Sequence, residues 1–199
     1  MITTSTPNPG IFHGLPPRGA EALPTLRRGG RVLLPTANLW QMVVDARSLQ
    51  SVRQLLSVCP RSKVNRPELL FANRVALLEW FPRLHPKLET LLSFHGRPLT
   101  VMTPANDLVA DALVDHRGEV AVRITLDSYC QRLCEDLEAP LAATLAVGNG
   151  QTELPTGFGK IRSDVLRSSD YVVKRRQREQ LDTQAAVCIR IRRGEVEFL

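Results

Sequence analysis

The chain has 199 residues, 43% of them hydrophobic and 23% charged, enough for one sizeable core and short for two, so one compact domain is expected. No apolar run approaches the roughly 18 residues of a membrane span, and the first twenty residues lack the charged start and apolar centre of a signal peptide. The sequence therefore argues against a membrane protein, and the expected location is the cytoplasm. A formal charge of +6 and a pI near 9.6 favour polyanionic partners, nucleic acid first.

In chain order, residues 1–19 carry four prolines and three glycines without periodicity, which predicts a flexible arm, with the domain spanning 20–199. A short helix near Ala20, interrupted by Pro24, should stop at Gly29-Gly30. "RVLLPT" and "LWQMVV" read as strands. "SLQSVRQLLSV" spaces Leu49, Val52, Leu55 and Leu56 at helical intervals behind Ser48 as a cap. "ELLFAN" is a short strand, and Val75 to Leu92 is helical but broken by Pro82 and Pro86. "RPLTVMT" and "VAVRIT" are two further strands, followed by the amphipathic helix "LDSYCQRLCEDL" with Asp127 near its start. After the strand "PLAATLAV" and the turn "GNG", a helix around Lys160 to Arg167 precedes the strands "DYVVK", "AVCIRIRRG" and "EVEFL". Strands interleaved with helices imply an α/β domain whose helices cover a largely buried sheet.

The usual chemistry-bearing motifs are missing: no GxGxxG, GxxxxGK[ST], HExxH or GxSxG is present. The four cysteines, Cys59, Cys130, Cys134 and Cys188, form no CxxC pair. Cys130 and Cys134 share one helical face, where core packing outweighs metal binding because no histidine stands at ligand spacing. "KRRQR" sets Lys174, Arg175, Arg176 and Arg178 within five residues, and alternation along "VCIRIRRG" puts Arg190 and Arg192 together, opposite Val187, Ile189 and Ile191. This cationic stripe is either a solvated face or a contact for RNA phosphates. What remains are polar groups near strand ends, Thr36, Thr100, Arg123 and Thr144, where ligands bind in α/β sheets; threonine is also an ordinary strand residue.

The order of these segments resembles the YrdC-like superfamily of threonylcarbamoyl-AMP synthases and YciO-type proteins, with the YciO-type branch the better fit. "GRVLLPTANLWQMVVDA" is similar to the family's strand ending in Pro-Thr, with Asp45 at a matching position, and "SVCPRSKVNRP" to its Lys-x-Arg segment. "FHGRPLTVMTPA", "VAVRIT", "APLAATLAVGNG" and "VCIRIRRGEVEFL" follow in the family's order. The resemblance implies a single-domain α/β fold of the YrdC/RibB-like type, a twisted open mixed sheet flanked by helices around a basic cleft. It also implies a nucleotide and substrate site of Thr36, Arg61, Lys63, Arg66, Thr100, Arg123 and Thr144. Family synthases join ATP, with Mg2+, to threonine and bicarbonate in making threonylcarbamoyladenosine in tRNA, and several members bind tRNA or double-stranded RNA.

Departures from the family pattern are equally legible. Cys59 stands where synthases carry the lysine, so Lys63 or Arg66 would have to supply that cation; Ala37 and Asn38 replace the acidic and hydroxyl residues after Pro-Thr. Leu145-Ala146-Val147 replaces a Ser-Ala-Asn triplet, and near the C-terminus a Pro-Ser/Thr-Thr segment is reduced to Asp182. Three readings follow: a basic cleft for tRNA or double-stranded RNA, and an adenine nucleotide, with an altered synthase site; an active L-threonylcarbamoyladenylate synthase; or a protein-interaction scaffold.

Overall fold

The computed structural model describes residues 21–181 and 186–199, so the expected arm at 1–19 and Asp182 lie outside the described residues. Nine strands form one sheet: β1 (Val32–Pro35), β2 (Trp40–Asp45), β3 (Glu68–Phe71), β4 (Leu99–Pro104), β5 (Glu119–Ile124), β6 (Leu141–Leu145), β7 (Tyr171–Val172), β8 (Val187–Arg192) and β9 (Glu195–Phe198). Their spatial order is β7-β1-β2-β6-β3-β5-β4-β8-β9. Pairs β1/β7, β3/β5 and β4/β8 are parallel and the other five antiparallel. The sheet is thus open and mixed, as the sequence implied.

Six helices among the described residues flank it: α1 (Ala22–Arg27), α2 (Leu49–Val58), α3 (Arg74–Trp80), α4 (Pro86–Phe94), α5 (Ser128–Leu137) and α6 (Ser163–Arg167). Their ends follow from local chemistry. Ser48, Asn73 and Asp127 cap α2, α3 and α5 by accepting the N–H three residues on, at 3.2, 3.0 and 3.0 Å. Pro86 sits in the first turn of α4, where its missing N–H costs nothing. Pro24 is likewise in the first turn of α1, so the expected interruption does not occur. Gly29, at φ 78°, ends α1 by donating to Leu26 O at 2.9 Å, and Gly30 donates to Thr25 O at 2.8 Å. The helix expected over 160–167 is a 3-10 turn at Phe158–Lys160 followed by α6. In α2, Val52 and Leu55 are buried, but Leu49 is 55% exposed, outside the expected apolar face.

Alternation along the strands divides the core. One face carries Leu33, Met42, Val44, Leu69, Phe71, Val101 and Val122 beneath residues from α2, α3, α4 and α6. The other carries Leu34, Val43, Leu70 and Ala143 beneath α1 and α5, with Cys130 and Cys134 buried as expected. Those two helices roof β7, β1, β2, β6 and β3. Over β5, β4 and β8 that face has no described helix above it, which leaves room for a cleft.

Candidate functional site

The cleft occupies this open part of the sheet, with a volume of about 200 Å³. Its floor comes from side chains on one face: Gln41 on β2, Glu68 on β3, Arg123 on β5, Thr100 on β4 and Cys188 on β8. Lys63 and Arg66 line it from the loop after α2, together with Asn38 and Leu145. The floor is a closed polar network. Glu68 Oε1 lies 2.7 Å from Arg123 Nη2 and accepts Gln41 Nε2 at 2.8 Å, and its Oε2 accepts the Thr100 hydroxyl at 2.8 Å. Arg123 Nη2 also donates to Gln41 Oε1 at 3.3 Å. Arg123 is 4% exposed, and its Nε, wholly buried, has no partner among the described residues.

Of the residues singled out from the sequence, Lys63, Arg66, Thr100 and Arg123 converge here. Thr36, Arg61 and Thr144 do not line the cleft. The buried Thr36 hydroxyl donates to Leu39 O at 2.7 Å and locks the turn between β1 and β2. Arg61 donates to Leu113 O at 2.9 Å, tying its loop to the 111–113 turn; burial lowers its pKa, against the opposing charge of Asp115. Thr144 pairs in register with Met42, so it points into the helix-covered core, fully buried. Cys59 is buried too, and desolvation pushes its thiol up to about 11, with Thr144 acting against the shift. It presents neither cation nor thiolate to the cleft.

Half of the expected cationic residues are paired with carboxylates. Arg175 sits 3.3 Å from Asp127 and over the Tyr129 ring. Arg176 binds Glu179 at 2.7 Å and Thr36 O at 2.9 Å. Arg190 is 3.1 Å from Glu119 and 3.7 Å from Glu197. Lys174, Arg178 and Arg192 are exposed. Val187, expected to face inward, is 39% exposed, whereas Ile189 is buried.

Sequence reasoning passed over Gln41 and Glu68, and named Asn38 and Cys188 without placing them in the site. The first two carried a signal: each is polar within a strand whose every residue is buried, "WQMVVD" and "ELLF". A buried polar side chain must find a partner. Among the described residues no cluster of three or more His, Cys, Asp or Glu is placed to hold a metal, and no helix is long and apolar enough to cross a membrane.

The family model for Sua5, YciO and YrdC proteins, described as telomere recombination, matches residues 24–195. The threonylcarbamoyl-AMP synthase of Hydrogenovibrio crunogenus is 29% identical over 136 residues, 66% of this chain and 73% of that protein. The one from Thiobacillus denitrificans is 31% identical over 134 residues, 66% of this chain and 70% of that protein. Among solved structures, P. abyssi Sua5 complexed with L-threonine superposes with a TM-score of 0.76 at 21% identity, covering 90% of this chain and 52% of that one. E. coli YciO does so with a TM-score of 0.75 at 14% identity, covering 90% and 86%. The chain spans about half the length of P. abyssi Sua5.

Proposed function

Since the chain belongs to the Sua5/YciO/YrdC family, we propose that its cleft is a threonylcarbamoyl-AMP synthase site that receives ATP, threonine and bicarbonate. The observation that carries this reading is the convergence of Lys63, Arg66 and Arg123 on one open sheet face where Glu68 is the one carboxylate side chain among the described lining residues. Such an arrangement suits phosphate and carboxylate oxygens, which form the stronger, charge-assisted hydrogen bonds with guanidinium and ammonium groups. The synthase names of the two bacterial relatives support the same reading.

In this reading Lys63 and Arg66 take over the role that the buried Cys59 has vacated and hold the triphosphate at the cleft mouth. Glu68 already accepts three donors and is paired with Arg123, so Mg2+ would be held by the phosphates rather than by this carboxylate. The amine of threonine would condense with bicarbonate, losing water, and an oxygen of the resulting carbamate would attack the α-phosphorus as pyrophosphate leaves toward the cationic rim.

Pyrophosphate release from ATP in the presence of threonine and bicarbonate tests the proposal. Release that requires all three and falls at least tenfold in Arg66→Ala supports it; absence of release, with no binding of ATP or threonine by calorimetry, overturns it.

A second reading rests on Lys174, Arg178 and Arg192, which are exposed and form no ion pair among the described residues. These side chains are free to meet the phosphates of tRNA or double-stranded RNA. Binding that weakens steeply with salt, with a smaller salt slope in Lys174→Ala/Arg178→Ala, is the expected signature.

A further inference from the structure

Glu68 is the unexplained member of the cleft floor. A carboxylate in a site for anions ought to repel them, yet this one is 6% exposed and placed at its centre. The geometry resolves the contradiction. Glu68 takes donors from three other strands: Gln41 Nε2 at 2.8 Å, Thr100 Oγ1 at 2.8 Å and Arg123 Nη2 at 2.7 Å. Gln41 then turns its own Oε1 back to the same Arg123 Nη2 at 3.3 Å. One nitrogen of the guanidinium is thus held from two sides, while Nε remains buried and unpaired among the described residues. Buried donors without an acceptor are rare because they forfeit their hydration for nothing in return, and each marks a place where an acceptor belongs.

We propose that Glu68 is a positioning residue. It fixes the Arg123 guanidinium in the floor of the cleft to meet one oxygen of an anionic ligand, with the buried Nε–H as the reporter of that fixed orientation, and this role rests on the proposed reading of the cleft as an anion site. The pair carries no net charge, so Arg123 contributes a directed hydrogen bond rather than long-range attraction. Attraction comes from Lys63 and Arg66, exposed at the rim. The two contributions therefore differ in their response to ionic strength: the rim is screened and the buried pair is not.

The experiment uses the full chain, its Glu68→Gln and Glu68→Ala variants, and two probes, inorganic pyrophosphate and L-threonine, titrated by calorimetry. In parallel, the Nε–H resonance of Arg123, assigned with Arg123→Lys, is followed by 15N NMR. The expected result is a sharp, exchange-protected Nε–H resonance in the native chain that shifts when a probe binds. It should disappear in Glu68→Ala together with a tenfold or greater loss of probe affinity, and Glu68→Gln, which keeps the acceptor toward Arg123, should recover part of both. A Glu68→Gln or Glu68→Ala protein that binds either probe as tightly as the native chain, or more tightly, overturns the positioning role and makes Glu68 a competitor for Arg123. So does an unchanged resonance in Glu68→Ala. If the native chain binds neither probe yet its resonance is sharp and depends on Glu68, the anion-site reading falls while the positioning of Arg123 stands. Thermal melts of both variants identify any loss of folding, and Glu68→Gln, of nearly the same shape, keeps the test decisive if Glu68→Ala does not fold.

Discussion

Asn65 Oδ1 accepts the backbone N–H of Leu145 at 2.9 Å, joining the loop after α2 to the last residue of β6. The same side chain donates from Nδ2 to Cys59 O at 3.2 Å and Pro60 O at 2.9 Å. Fully buried, it clamps the loop on which Lys63 and Arg66 stand. Replacing Asn65 by Ala removes three buried hydrogen bonds and orphans the Leu145 N–H, at a cost of about 2 to 4 kcal/mol. We expect a fall in Tm of roughly 5 to 15 °C, together with a loss of ligand affinity as large as that of Lys63→Ala. An unchanged Tm would show that the loop is held by other means.

The Glu68–Arg123 pair predicts strong coupling. Its side chains are 8% and 5% exposed, so removing either partner leaves an uncompensated buried charge, at a cost of about 3 to 5 kcal/mol. Glu68→Leu and Arg123→Met should each destabilise by that amount, while the double variant should regain more than half of it. Chemical denaturation of the four proteins measures the coupling; strictly additive effects would mean that the two groups do not depend on each other.

Most of the sheet was legible in the sequence because its strands are short apolar runs bounded by proline, glycine or capping residues. α2 and α5 announced themselves through Ser48 and Asp127, whereas Asn73, which caps α3, reads in the sequence as the end of the strand "ELLFAN". What a single sequence does not carry is direction across strands. Thr144 and Thr100 look alike as strand threonines, yet register sends Thr144 into the helix-covered core and Thr100 to Glu68. Arg123 stood out as a cation in the apolar run "VAVRI", and the same reasoning applied to Glu68 and Gln41 would have found the rest of the floor. Pairings such as Arg175 with Asp127 or Arg190 with Glu119 span 48 and 71 positions. Charge counting therefore overstated how much of the cationic stripe is free.

The cysteines offer a labelling test. Cys59, Cys130 and Cys134 are buried, whereas Cys188 is partly exposed on the cleft floor. Desolvation pushes Cys59 up to about 11 and Cys134 up to about 12, and raises Cys130 well above its ordinary value. Burial raises Cys188 as well, with Arg66 pulling against it. The native protein should therefore react with one equivalent of a thiol reagent, at Cys188. Its rate should keep climbing beyond the ordinary thiol pKa of about 8.5, and it should slow when pyrophosphate or threonine fills the cleft. Fast labelling that survives Cys188→Ser would contradict this assignment.

The edge of the sheet supplies a pH prediction. Asp170 precedes β7 and accepts both the backbone N–H and the Nε–H of Arg31, at 2.8 and 3.1 Å, where β1 begins. Burial pushes its carboxyl up, but the Arg31 hydrogen bonds and charge outweigh burial and hold it below the usual carboxylate range. A carboxyl with a depressed folded-state pKa stabilises fully above its unfolded value of about 3.9, and that contribution is lost as pH falls through the lower, folded value. Because the Asp170 side chain is 46% exposed, solvent screening limits the pair to at most about 1 kcal/mol. Asp170→Asn should lower Tm by about 2 to 4 °C at pH 7. The difference should shrink below about pH 4 and close once the native carboxyl is protonated. Melts of the two proteins between pH 2.5 and 7 check this; a gap that persists unchanged at the acid end would assign the effect to the hydrogen-bond geometry rather than to the charge.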